Sequence, residues 1–99
     1  MDQAQRKKLS DQATKLFKDV ILDVLQEQAA GSGTCIGAAE ISRRAHIDRL
    51  PAGAPGGTKN WNDGITYHVL NMMLKDKTVE RCRLNKRHMG WKIAKEAEL

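Results

Sequence analysis

The stretch from Asn62 to Ala94 decides the fold: NDGITYHVLNMMLKDK (62–77), TVERC (78–82), RLNKRHMG (83–90) and WKIA (91–94). At about 100° per residue, Ile65, Val69, Leu70, Met72, Met73 and Leu74 make one wide apolar arc centred between Val69 and Met73, which predicts a helix. Its opposite face carries Asn60, Gly64, Tyr67, His68, Asn71 and Lys75. Thr78 to Cys82 and Trp91 to Ala94 alternate as strands do, and Arg83 to Gly90 joins them with Asn85-Lys86 and Gly90 as turn positions. A hairpin follows the helix. Trp91 at its base serves as a core anchor, and Met72 and Met73 fill core space.

Charge falls unevenly around this stretch. Residues 1–30 hold five basic and five acidic side chains, and residues 31–74 hold four and three. Residues 75–95 hold eight basic and two acidic, more than the chain's whole net charge of +5, and residues 96–99 form an acidic tail. A cluster of this kind within one hairpin suits a polyanion, and duplex DNA is the commonest one.

Upstream, Leu9 to Gln28 predicts the strongest helix. Leu9, Ala13, Leu16, Phe17, Val20, Ile21, Val24 and Leu25 recur in steps of three and four, with Lys15, Lys18, Asp19, Asp23 and Glu27 on the other side. Ser10 or Asp2 is the candidate N-cap, and Ala29 to Gly33 ends the helix. The stripe is wide for a small core, so a homodimer through residues 10–29 stands beside simple core packing. Cys35 and Ile36 suit a minimal strand. Ala38 to Ala45 (AAEISRRA) predicts a short helix with Ile41 and Ala45 inward and Arg43 and Arg44 outward. His46 falls where that helix must turn through a positive φ, a position glycine favours and histidine tolerates, and Ile47 drops back into the core.

Asp48 to Trp61 (DRLPAGAPGGTKNW) holds both prolines with Gly53, Gly56 and Gly57, and is a loop. At roughly a dozen residues it exceeds the usual two to eight between packed helices. Thr58 separates Gly57 from Lys59, so the nucleotide phosphate-loop order is missing. A glycine-rich loop running into a helix start still offers backbone N–H groups to a phosphate, with Lys59 and Asn60 beside them and Asn60 or Asn62 as the cap.

The remaining chemistry is excluded by type. Histidines 46, 68 and 88 lie on separate elements, with no HExxH, no G-x-S-x-G and no metal-ligand cysteine spacing, so neither an enzyme, a metal site nor a cofactor is expected. Cys35 and Cys82 read as two partly buried thiols in a reducing compartment, in preference to a disulfide, and Cys82 between Arg81 and Arg83 reads as structural in preference to an activated thiol. No apolar run approaches the 18 or so residues of a membrane span, and residues 1–12 lack the apolar segment of a secretory signal. A cytoplasmic chain, or a nuclear one in a eukaryote, is expected.

The order helix, short strand, helix, long helix, hairpin resembles the winged helix-turn-helix superfamily across Leu16 to Ala94. IGAAEISRRAHI (36–47) is similar to its first motif helix and turn, GITYHVLNMMLKDKTVERC (64–82) to the recognition helix and first wing strand, and GWKIA (90–94) to the returning strand. His46 and Lys77 stand where glycine is usual, and the loop before the recognition helix is extended. The resemblance implies an α+β, mainly helical fold of three helices plus a small antiparallel hairpin. Residues 1–9 precede the domain, residues 10–95 form it with the extended loop 48–61, and 96–99 are the tail. It implies double-stranded DNA as partner, for a transcriptional regulator or DNA-docking module, with helix 62–77 in the major groove and the wing 83–90 on the backbone or minor groove. Arg43, Arg44, Lys59, Asn60, Tyr67, His68, Asn71, Lys75, Arg83, Lys86 and Arg87 are the candidate contacts. A winged helix that docks a protein partner is the alternative, and structured RNA is a third.

Overall fold

The computed structural model of the chain describes residues 1–31, 35–47 and 64–94. Three helices and one two-stranded antiparallel hairpin make up the described residues, an α+β and mostly helical arrangement. Helix α1 (Gln3–Gly31) starts earlier than its apolar stripe, so residues 3–9 belong to the helix. Asp2 caps it: its side-chain oxygen accepts the Gln5 backbone N–H at 2.8 Å, and the Gln5 side chain accepts the Asp2 N–H at 3.3 Å. This reciprocal box satisfies two donors that a helix start leaves open.

Only the second half of α1 packs. Ile21, Val24 and Leu25 are buried and Phe17 leans on the same cluster, whereas every residue up to Ala13 is exposed. Helix α2 (Ala38–Arg44) buries Ile41 and Ser42, and helix α3 (Gly64–Lys75) buries Thr66, Val69, Leu70 and Met73. The buried face of α3 is thus rotated from the expected arc: Ile65 and Leu74 are exposed and Thr66 is inside. Thr66 tolerates burial because its hydroxyl hydrogen-bonds that of Ser42 at 2.7 Å, pinning α3 to α2.

Both helix ends turn where glycine was missed. His46 has φ 57° and Lys77 has φ 63°. After α2, the His46 N–H bonds the Arg43 carbonyl and the Ile47 N–H the Ser42 carbonyl; after α3, Lys77 and Thr78 repeat the pattern on Leu74 and Met73. These are paired 5→2 and 6→1 closures of a left-handed C-terminal turn.

Strands β1 (Val79–Arg83) and β2 (Met89–Ile93) pair in the register Val79↔Ile93, Arg81↔Trp91 and Arg83↔Met89. Along that face burial fades from base to tip: Val79 and Ile93 are in the core, Arg81 is half-buried over buried Trp91, and Arg83 and Met89 are exposed. Ile36 pairs with Trp91 on the free side of β2, through hydrogen bonds of 3.1 and 2.8 Å, which supplies the minimal strand.

The cysteines correct an expectation. Cys35 and Cys82 are joined in a disulfide with 5.9 Å between their Cα atoms, so they are not two thiols and do not argue for a reducing compartment. The bridge runs from the Ile36 segment to β1, across the middle strand at Gly90. An ideal Cβ on Gly90 would lie 2.6 Å from the Cys35 sulfur and 2.9 Å from the Ile36 carbonyl oxygen. Gly90 is therefore not a turn residue. It is a β2 residue paired with Cys82 whose missing side chain makes room for the crossing.

Candidate nucleic-acid interface

The solvent face of α3 is a stripe. Gly64, His68, Asn71 and Lys75 follow at helical spacing opposite the buried face, with Tyr67 on the flank nearest the hairpin. All but the half-buried Asn71 are exposed. The expected polar face is therefore present on this helix, although Asn60 and Lys59 lie outside the described residues, as do the whole 48–61 loop and the Asn62 cap.

The hairpin tip is held by one side chain. Asn85 Oδ1 accepts the backbone N–H groups of Arg87 and His88 at 2.9 and 3.0 Å and sits 3.1 Å from His88 Nδ1. The Leu84 and Asn85 N–H groups both donate to the His88 carbonyl, and an Arg83 guanidinium N–H reaches the Lys86 carbonyl at 3.3 Å. An asparagine that satisfies its own turn fixes the loop without needing glycine. Lys86 and Arg87 project from a defined tip as a result.

Ion pairing divides the basic residues. Arg43 is engaged by Glu40 through two side-chain hydrogen bonds, one of them 2.9 Å, and that bonding, then the opposite charge, raises its pKa above the ordinary arginine value. Arg44 pairs with Glu27 and donates to Gln28 at 2.8 Å, tying α2 to α1. Lys18 reaches Asp76 at 2.9 Å, and Lys92 meets its register partner Glu80 at 3.2 Å. By contrast Lys75, Lys77, Arg81, Arg83, Lys86 and Arg87 form no ion pair among the described residues. Arg6 and Lys8 are also without one, but they lie near the outer end of α1. The structure thus gathers Tyr67, His68, Asn71, Lys75, Arg83, Lys86 and Arg87 on α3 and the hairpin and leaves Arg43 and Arg44 on a helix where carboxylates already hold them.

Arg81 was missing from the sequence-based candidates. Its guanidinium carbon lies 4.2 Å from the centroid of the Trp91 ring and 6.0 Å from that of Tyr67, and its Nη1 is 3.4 Å from the Tyr67 hydroxyl. Tyr67 meets Trp91 edge-on, with 5.8 Å between centroids and an 87° interplanar angle. The available signal was the hairpin register: folding 78–94 about its turn puts Arg81 opposite Trp91. No group of three or more His, Cys, Asp or Glu side chains among the described residues could hold a metal. No helix among them is long and apolar enough to cross a membrane. No family model, curated protein or solved structure matches the chain.

Proposed function

We propose that this chain is a winged helix-turn-helix domain that binds duplex DNA, with α3 entering the major groove and the hairpin gripping the flanking backbone or minor groove. Such a domain acts as a transcriptional regulator or as the DNA-docking part of a larger system, in the cytoplasm or, in a eukaryote, the nucleus. The observation that carries the proposal is the sorting of charge: six cations without ion pairs among the described residues follow one another along the end of α3, β1 and the hairpin tip. Cations not already held by a carboxylate leave a polyanion little to displace. Exposed His68 and half-buried Asn71 on the same stripe of α3 offer groups that can read base edges, with asparagine suited to adenine.

Measured against random duplexes over a range of salt, log affinity should fall with log salt at a slope of about −3.6 to −5.4, the value for four to six phosphate contacts. Replacing Lys86 and Arg87 together by alanine should flatten that slope by roughly 1.8 and weaken all sequences alike. Absence of binding at low salt, or affinity insensitive to salt, refutes the proposal.

One observation favours a second partner beside DNA. Leu9, Ala13, Leu16 and Val20 follow in steps of four, three and four, and the three larger residues are 49, 64 and 41% exposed. That spacing is the seam of a two-helix coiled coil. We infer that a second copy of the chain pairs along this half of α1. Sedimentation equilibrium should find a dimer that Leu16→Glu dissociates, and a monomer at high protein concentration would count against it.

A further inference from the structure

We propose that Arg81 and Tyr67 form a preformed seat for one backbone phosphodiester, at the seam where α3 meets β1. This rests on the duplex-DNA reading and adds to it a contact whose geometry is set before the ligand arrives. Most lysines and arginines on a hairpin lose side-chain freedom when they bind. Arg81 has already lost it. Its guanidinium is packed 4.2 Å over Trp91, a residue only 1% exposed, and Nη1 is directed to the Tyr67 hydroxyl at 3.4 Å. A planar guanidinium stacked on an aromatic face keeps its edge free for hydrogen bonding in a fixed plane.

The donors of this pair are under-used. Arg81 Nε is buried without a hydrogen-bond partner among the described residues, so the edge a ligand can reach is that of the η nitrogens, beside the exposed Tyr67 hydroxyl, and no acidic side chain among those residues pairs with the guanidinium. The Tyr67 hydroxyl accepts from Arg81 Nη1 and so keeps its own proton to donate. A guanidinium edge and a phenol proton together offer convergent donors to one anionic oxygen, the chemistry by which proteins hold phosphate.

The placement favours a phosphodiester over an isolated carboxylate. Arg81 and Arg83 share the hairpin face on which Trp91 lies, and Tyr67 flanks the exposed stripe of α3. The seat therefore lies between the two elements proposed to straddle a duplex. On the other face of β1, Glu80 and Lys92 neutralise each other at 3.2 Å. Charge is cancelled on one face and left open on the face that meets α3.

The test is fluorescence anisotropy of the full chain with random-sequence duplex DNA across a salt series, for wild type, Arg81→Met, Arg81→Lys and Tyr67→Phe. Arg81→Met should weaken every duplex alike, by roughly tenfold, and flatten the salt slope by about 0.9. Arg81→Lys should restore the slope but not the affinity, because an ammonium keeps the charge and loses the stacked fork. Tyr67→Phe should lose affinity at unchanged slope. If wild type binds and Arg81→Met binds as tightly with the same slope, the seat is refuted while the DNA reading stands. If wild type binds no duplex, both fail. Arg81-dependent binding of a polyglutamate peptide in preference to duplex would overturn the phosphodiester assignment. Should Arg81→Met not fold, the wild-type Arg81 Nε–H resonance decides: it should shift on addition of duplex, and a resonance that stays in place at saturation overturns the seat.

Discussion

Helix α2 and the hairpin carry arginines in similar density, yet they use them in opposite ways. Arg43 and Arg44 are held by Glu40 and Glu27, whereas Arg81, Arg83 and Arg87 have no carboxylate partner among the described residues. Net charge alone cannot tell these situations apart. An arginine that meets an intramolecular carboxylate must exchange one anion for another to bind a phosphate, and the exchange returns little. One without such a partner exchanges only water and counterions. On the proposed reading, the hairpin would therefore contribute more to DNA binding than α2 although both elements are basic.

The sharpest way to break the comparison is to loosen the hairpin from the body. The Cys35–Cys82 disulfide closes a loop spanning 47 positions that contains both α2 and α3. In the chain-entropy account, opening a loop of that size costs about 4 kcal/mol. Cys35→Ser, or reduction by a dithiol, should lower the midpoint of thermal unfolding by roughly 15 °C or more. Because the bridge ties β1 to the Ile36 segment, duplex affinity should fall as well. An unchanged melting midpoint after complete reduction would show that the bridge adds nothing to stability.

Next in size is Gly90. A methyl group there meets the Cys35 sulfur and the Ile36 carbonyl oxygen, and the carbonyl belongs to the backbone pairing with Trp91. Gly90→Ala should destabilise by about 1–3 kcal/mol, the usual cost of overpacking. Combined with Cys35→Ser, which removes the nearer obstacle less completely than it removes the cross-link, the two losses should be less than additive. Strict additivity in denaturant unfolding would mean that the sulfur and the glycine do not share the space.

Much of the fold is legible in the sequence, for reasons that differ by element. The left-handed turn at His46 is legible because histidine is among the residues that tolerate the positive φ such a turn needs, and Lys77 only as the residue standing where glycine often ends a helix of this kind. Trp91 is legible as an anchor because it is the one large aromatic residue in an otherwise short strand. The outer half of α1 is half legible: its stripe is plain, but a stripe does not say how far the core extends, and burial begins only around Phe17. The α2 ion pairs are less so, since Glu27 lies 17 residues from Arg44 and meets it only through the packing of α1 on α2. The disulfide was missed because spacing along the chain says nothing about two edge segments meeting over a glycine. Arg81 is not legible because strand alternation alone does not say what lies across the hairpin, and only the register sets this residue over tryptophan.

The two left-handed turns offer a smaller, paired test, one on each side of the comparison. His46→Gly and Lys77→Gly should each stabilise by about 0.5–1 kcal/mol, since a residue with a Cβ is strained at positive φ and glycine is not, less what glycine gives back in unfolded-chain freedom. Their effects on duplex binding should differ. Lys77 is one of the cations without an ion pair among the described residues, so its replacement should reduce affinity and flatten the salt slope while raising stability. His46→Gly should raise stability alone. Equal loss of binding in both would place the α2 turn in the interface.

The smallest expected effect is the most direct check on the sorting of charge. Arg43→Ala and Arg44→Ala together remove as much formal charge as Lys86→Ala with Arg87→Ala. If intramolecular pairing determines what a cation can offer to DNA, the α2 pair should flatten the salt slope by well under the roughly 1.8 expected for the hairpin pair. Glu40→Gln with Glu27→Gln gives the converse, because it frees both arginines without removing them. Free arginines that face the duplex would tighten binding and steepen the slope; arginines that face away would leave both unchanged. We expect the second result, since Arg44 points back to α1 to meet Glu27 and Gln28. A steeper slope would instead put α2 on the DNA backbone, with its carboxylates holding a latent contact in reserve.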